Sequence, residues 1–300
     1  MIRQLAVFFF LTASIFADQA TEEITFVGYN IKNYLKMDRR VDGEFRRQVD
    51  KPEAEIAALV EMITATAPDI LGLVEIGTEA DLRDLQKRLT AAGLDLPHAE
   101  WCKGADAHRH VALLSRFPIA VTHHQSELTY TLDQTTMPFS RGILDATVQL
   151  NEDYQLRLLG VHLKSKRKVP EGDESLMRRS EAQLLRDHVE KIITANPETN
   201  LLVFGDFNDT RNEAPIKAIQ GKFGKPDYLT DIQLKDKNGM RWTYYWSWAD
   251  QYSRFDFIFI NKGLLPEVDQ EKSYIHGAPN WFTASDHRPC VAKIRAVEKN

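Results

Sequence analysis

Several polar residues in this sequence stand where buried strands would end. Asn30 closes the apolar run 24–29, Glu75 closes 70–74, and Asp206 and Asn208 follow 201–204. His162 lies inside Leu159-Gly160-Val161-His162-Leu163, Asp256 lies inside the run 255–260, and Asp286-His287 immediately precede the run 289–294. A charge within an apolar strand is costly unless it is paired or bound to a metal. Taken singly, Asp256 reads equally well as a hydrogen-bonded structural carboxylate, and Gly205-Asp206-Phe207-Asn208 as a turn. Taken together they converge, because strand ends are where folds assemble side chains from distant parts of a chain. Carboxylates, amides and imidazoles suit phosphate ester hydrolysis. That reaction needs a positioned water, a base, neutralisation of the non-bridging oxygens and help for the leaving oxygen. An imidazole tied to a buried carboxylate can serve as acid or base.

The elements that must hold these residues are legible as periodicities. Short apolar runs predict strands at 24–29, 70–74, 98–102, 110–115, 119–127, 142–150, 155–163, 201–204, 242–246, 255–260 and 289–294. Helical spacing predicts helices at 53–66, 79–92 and 174–196, the last with Leu176, Leu184, Leu185, Val189 and Ile192 on its apolar face. Pro68 ends the first helix and Gly93 the second. Many strands and three or four helices in mixed order imply two sheets with helices on their outer faces. No repeat, low-complexity run or linker divides the chain, so residues 18–300 read as one domain.

These motifs resemble the endonuclease/exonuclease/phosphatase superfamily, which includes deoxyribonuclease I. The resemblance rests on Tyr29-Asn30-Ile31, Val74-Glu75, the 111–119 segment, Val161-His162-Leu163, Gly205-Asp206-Phe207-Asn208, the 254–258 segment and Ser285-Asp286-His287-Arg288-Pro289. It implies an α+β fold, a four-layer sandwich of two packed mixed β-sheets flanked by helices. It also implies Mg2+, or Mn2+ or Ca2+ in its place, held mainly by Glu75 with Asn30 and Asp286. Asp206 and Asn208 would face the attacking water and the phosphate, His287 would pair with Asp256, and His162 would complete a catalytic set. Arg141 resembles a position near the phosphate.

Lys164 opens the densest basic run, with Lys166, Arg167 and Lys168, readable either as a solvated loop or as a phosphate-attracting groove. His108-Arg109-His110 is a second cationic cluster, whereas His123 and His124 read as surface residues. The aromatic concentration Trp242, Tyr244, Tyr245, Trp246, Trp248 and Tyr252 reads by default as core, with the other face free to stack a base or sugar.

At the N-terminus, Arg3 precedes a short apolar stretch and Ala17 precedes Asp18, the order of a secretory signal peptide over residues 1–17. Its apolar part is too short to span a membrane. Export to a periplasm or beyond is therefore expected. Such a compartment permits a disulfide, but Cys102 and Cys290 both fall in expected strands, where buried free Cys is common. The chain of 300 residues holds 38 Lys+Arg against 43 Asp+Glu, a net charge of -5, which excludes binding a polyanion by bulk attraction alone.

An exported metal-dependent phosphodiesterase acting on nucleic acid is the expected function. A sphingomyelinase-like lipid phosphodiesterase or a small-phosphoester phosphatase is the alternative. A lipid substrate predicts an exposed apolar loop near the site, for which Leu132, Met137, Pro138 and Phe139 are the candidates. The Pro-Ala-Trp-Cys-Asp-Arg-like signature of inositol-polyphosphate phosphatases is absent at residues 252–256. A non-catalytic binding module would predict lost site residues, and none is missing. No stable protein partner is implied.

Overall fold

The computed structural model describes residues 23–298, and the expected signal peptide at 1–17 lies outside them. Two six-stranded sheets pack face to face. In the first, Glu23–Tyr34 lies between Cys290–Arg295, its antiparallel neighbour, and Ile70–Ile76, its parallel neighbour. In the second, Leu201–Asp206 lies between Gln155–His162, parallel, and Asp256–Ile260, antiparallel. Each parallel pair is joined through a helix, as parallel pairing requires. Helix Glu53–Thr66 makes the first crossover and Glu174–Ala195 the second. Both sheets are mixed and both are flanked by helices, the four-layer α+β sandwich expected from the sequence.

Packing follows from strand composition. Strands covered on both faces must be apolar on both, as in Ile70–Ile76 and Leu201–Asp206. Phe26, Val111, Leu158, Phe204 and Ile258 fill the space between the sheets. Ile56, Leu59 and Ile63 seat the first helix on one outer face, and Leu185, Val189 and Ile193 seat the long helix on the other. Two glycines make room at the centre. A Cβ on Gly72 would lie 2.2 Å from the Phe204 ring and one on Gly160 2.6 Å from it, so the large ring fills space that only hydrogen leaves free. Local signals fix the helix ends. Thr78 and Asp81 form a reciprocal capping box at the start of Glu79–Ala91, and Asp173 caps the long helix.

Five expectations are corrected. Leu176 is exposed, while Arg178 and Glu181 of the same helix are buried; buried polar contacts, described below, replace an apolar stripe at that end. The strand expected over 119–127 stops at Thr122, and that over 242–246 is only Tyr244–Trp246. The Thr129–Leu132/Thr135–Pro138 hairpin buries Leu132, and Phe139 after it is also buried, so this segment offers no exposed apolar loop. The aromatic concentration is not core: Trp246 is 45% exposed and Trp248 86%, on a small hairpin formed with Gln251–Ser253. Cys102 and Cys290 are both free and buried, and burial raises both thiol pKa values. No helix among the described residues is long and apolar enough to cross a membrane.

Candidate active site

The parallel strands of both sheets end at the same edge of the sandwich, and their last residues meet there. Sheet register does much of the alignment: His162 pairs beside Asp206, and Asp206 pairs beside Asp256. Asn30, arriving from the other sheet, donates from Nδ2 to Asp206 Oδ2 at 3.1 Å. The same Asp206 oxygen lies 3.6 Å from His162 Nε2 and 3.7 Å from His287 Nε2. Three nitrogen-bearing groups thus surround one carboxylate oxygen. The other oxygen, Oδ1, accepts the Asn208 backbone N–H at 2.9 Å, and Asn208 Nδ2 donates to the Leu163 carbonyl at 3.0 Å.

Irregular backbone aims several of these groups. Glu75 sits at φ 67° where the pairing of Ile70–Ile76 with His110–Ser115 shifts register between Val74 and Ile76. A residue inserted in a strand in this way is re-aimed. Its carboxylate accepts the Asn33 N–H at 2.9 Å through Oε2 and presents Oε1 3.8 Å from His162 Nε2, beyond hydrogen-bond distance. Asn33 and Asn208 also have positive φ, a conformation that asparagine tolerates better than most residues. His287 is fixed at three points. Its backbone N–H donates to Ser285 Oγ at 3.1 Å, its Nδ1 lies 2.7 Å from Asp256 Oδ2, and its ring packs 4.8 Å from that of Tyr244. Ser285 in turn donates to the Asn30 carbonyl, and Thr243 Oγ1 accepts the Asp256 N–H.

Burial and charge drive the two imidazoles to opposite states. Burial opposes a charged His287, but the carboxylates of Asp256 and Asp206 outweigh it and push its pKa up to about 10. Burial, reinforced by the positive charges of Arg141 and His287, holds His162 well below the ordinary histidine value. Burial also raises Asp206, with His287 opposing and Asp256 and Glu75 adding to the rise. A neutral imidazole, an imidazolium and a carboxylate shifted toward neutrality within one site are the ingredients of acid–base catalysis.

Other expected residues are placed less uniformly. Asp286 is half-buried beside His287, and its charge acts on both His287 and Tyr29. Arg141 is buried, with Nε 3.2 Å from Asp106 Oδ2 and with Nε and Nη1 lacking hydrogen-bond partners. Lys164 turns its ammonium to the Ser165 and Arg167 carbonyls, at 3.4 and 3.1 Å, and Lys166 is tied to Asp209 at 2.6 Å. Of the 108–110 cluster, Arg109 donates to the Asn33 side chain at 2.7 Å, and buried His110 is 2.8 Å from the Gly77 carbonyl. His124 is linked to Glu100 and Asp145, while His123 is exposed. Nothing in the residue types of Asn33 and Thr243 marks them as site residues in the sequence, because they act by holding backbone and side chains in place.

The model of the Endonuclease/Exonuclease/phosphatase family matches residues 29–287. The chain belongs to this family. Its members are divalent-metal-dependent enzymes that hydrolyse phosphoesters. No curated protein matches the chain in sequence. The human Nocturnin catalytic domain with bound sulfate is 18% identical, covers 90% of this chain and 93% of its own, and superposes with a TM-score of 0.63. TDP2 from Caenorhabditis elegans is 18% identical, with 92% and 75% covered and a TM-score of 0.62. An endonuclease/exonuclease/phosphatase protein from Bacteroides vulgatus is 15% identical, with 92% and 100% covered and a TM-score of 0.64. At these identities the solved structures establish the fold.

Two sets of groups in this member of the family could hold a cation. Asp206, Asp256 and His287 each offer an atom within 4.8 Å of the others. However, His287 Nδ1 is engaged by Asp256 at 2.7 Å, so this trio fits proton handling better. The Glu75 side suits a hard cation. Glu75 Oε1 stands outside hydrogen-bond distance of its imidazole neighbour, and Asn30 Oδ1 accepts only the Lys32 N–H among the described residues. The buried Tyr29 hydroxyl in this region has no hydrogen-bond partner among the described residues.

Proposed function

We propose that the chain is an exported phosphodiesterase that hydrolyses nucleic acid with the help of Mg2+. The observation that carries this reading is the encirclement of Asp206 Oδ2 by Asn30, His162 and His287, with Glu75 and Asp286 alongside. Glu75, Asn30 and Asp286 would hold the cation. Bound there, it supplies positive charge to the non-bridging phosphate oxygens and to the leaving oxygen. Asp206, raised toward neutrality, takes the proton of the attacking water. The water oxygen bonds to phosphorus, the ester P–O bond breaks, and the released alcohol oxygen takes up a proton from solvent, while Asp206 returns the proton it received. The His287 imidazolium, oriented by Asp256, neutralises charge that builds on the phosphoryl group. Arg141, ion-paired through Nε with Asp106, carries buried N–H groups at Nε and Nη1 that make no hydrogen bond, which suits a residue that receives phosphate oxygens. Export rests on the reading of residues 1–17.

The exposed aromatic hairpin favours nucleic acid through stacking. Tyr244 on this hairpin packs against His287, Trp246 and Trp248 stack on each other, and Tyr245 stacks on Tyr252. Flat aromatic surface beside a phosphate site is what successive bases use. The same exposed aromatics support a second reading, a lipid phosphodiesterase, because they meet the requirement for an apolar loop near the site.

Nicking of supercoiled plasmid by residues 18–300 tests the primary reading, with Mg2+ or EDTA and beside the Asp206→Ala protein. Mg2+-dependent nicking that the variant loses is the expected result, and Glu75→Ala should shift the Mg2+ titration to higher concentration. Intact plasmid together with release of phosphocholine from sphingomyelin vesicles would overturn the nucleic-acid reading in favour of lipid.

A further inference from the structure

Glu181 takes no part in the reaction described above, yet it is fully buried (0% exposed) in the long helix behind the site. Its Oε1 accepts the Ser140 backbone N–H at 3.0 Å, and its Oε2 accepts the Lys164 backbone N–H at 2.6 Å. These two segments come from different strands. Ser140-Arg141 leads into Leu144–Gln149, and Lys164 leaves Gln155–His162 two residues after the catalytic imidazole. We propose that Glu181 is a positioning residue that clamps these two segments together and thereby aims the Arg141 guanidinium at the substrate phosphate.

The clamp is closed on every side. Arg178, one turn earlier on the same helix, donates to the Lys164 carbonyl at 3.1 Å and to Asp209 at 2.8 Å. On the opposite side of Arg141, Asp106 N–H donates to the Ser140 carbonyl at 2.6 Å. Gly104 packs so closely that a Cβ there would lie 2.4 Å from the Arg141 carbonyl carbon. Both clamped segments approach Glu181 with N–H groups, and a carboxylate is the side chain with an acceptor at each of two ends. Glutamine would turn an NH2 against one of them. A fully buried carboxylate is costly, and burial raises the Glu181 pKa against the two N–H groups and the Arg141 charge that hold it down. The arrangement is therefore specific to the acid. Arg141 is the beneficiary, since its guanidinium is ion-paired through Nε with Asp106 Oδ2 at 3.2 Å while its buried Nε and Nη1 make no hydrogen bond, and its backbone is fixed from behind.

This inference rests on the phosphodiester reading of the site, and a double-mutant cycle tests it. Hydrolysis of bis(p-nitrophenyl) phosphate with Mg2+ is measured for the wild type, Glu181→Gln, Arg141→Ala and the double variant, with the melting temperature of each. Glu181→Gln should lower kcat/KM about 10- to 100-fold, as a small misplacement of a binding group does. In the Arg141→Ala background the same change should cost less than about twofold, because the group it aims is gone. Full multiplication of the two losses would overturn the positioning role while leaving the function intact. A wild type inactive on every phosphodiester tried would overturn both. If Glu181→Gln fails to fold, Glu181→Asp, which keeps the charge one methylene short, is read in the same cycle by the same criteria.

Discussion

Asp206 and His287 are where burial, charge and geometry combine most strongly. Removing either group should lower turnover by about 10²- to 10⁴-fold, the span typical of positioned acid–base groups, while leaving the protein folded. Single-turnover rates of Asp206→Ala and His287→Ala beside their melting curves check this, and a native curve with unchanged rate would remove the role from that residue. The pKa shifts also predict how stability varies with pH when a chelator keeps cations away. A histidine raised from 6.5 to about 10 contributes stability that is complete below 6.5 and is lost as pH rises through about 10. Asp206 is raised from 3.8, so its folded form prefers the proton, and the stability it contributes also declines as pH rises. Both groups act in the same direction. In EDTA the melting temperature should fall between pH 6 and pH 10, and the fall should be smaller in His287→Ala; equal slopes would contradict the charged state assigned to His287. At this scale the sequence revealed the residues that interrupt apolar strands, because a buried charge demands a reason. It concealed Asn33 and Thr243, whose work is to hold other groups through hydrogen bonds that spacing does not encode.

Elements bring those residues to one place, and the centre of the sandwich is the most constrained part. Gly72 and Gly160 face the Phe204 ring from two strands in different sheets. Gly72→Ala must displace that ring or its own strand, which should cost about 1–3 kcal/mol, as overpacking of a full core does. Urea unfolding would measure this, and Gly72→Ala combined with Phe204→Leu should recover part of the loss; a neutral Gly72→Ala would mean the core is looser than its geometry. Most buried strands were legible from their apolar runs, including those that carry Glu75, His162 and Asp206. Val268–Ile275 was not, because it is an edge strand whose sequence VDQEKSYI has exposed polar residues through its middle. The Met37–Val41/Glu44–Val49 hairpin escaped for the same reason, being largely exposed. In the long helix the period was right and the face at its start was misjudged. Arg178 and Glu181 are buried through hydrogen bonds, and a hydrophobic pattern gives no weight to such residues.

Across the whole molecule, the balance of charge sets a limit on how a polyanion can be held. A net charge of -5 repels nucleic acid at long range, so attraction must come from a few cations at the site. Arg141 and Arg109 are placed there, and Lys32 lies 5.5 Å above the Phe282 ring nearby. Two or three engaged phosphates of a single strand give a salt dependence of about -0.7 per phosphate in log K against log salt. Raising salt from 50 to 200 mM should then weaken binding of a short single strand to Asp206→Ala protein by roughly 7- to 20-fold. Arg141→Ala added to that protein should flatten the slope by about one phosphate. Fluorescence anisotropy with a labelled oligonucleotide would measure both slopes. Affinity independent of salt would mean that stacking on Trp246 and Trp248 carries the binding without phosphate contacts. A much steeper slope would locate a second cationic surface away from the site. Either result would separate what the active site does to a phosphate from how the rest of the molecule finds its substrate.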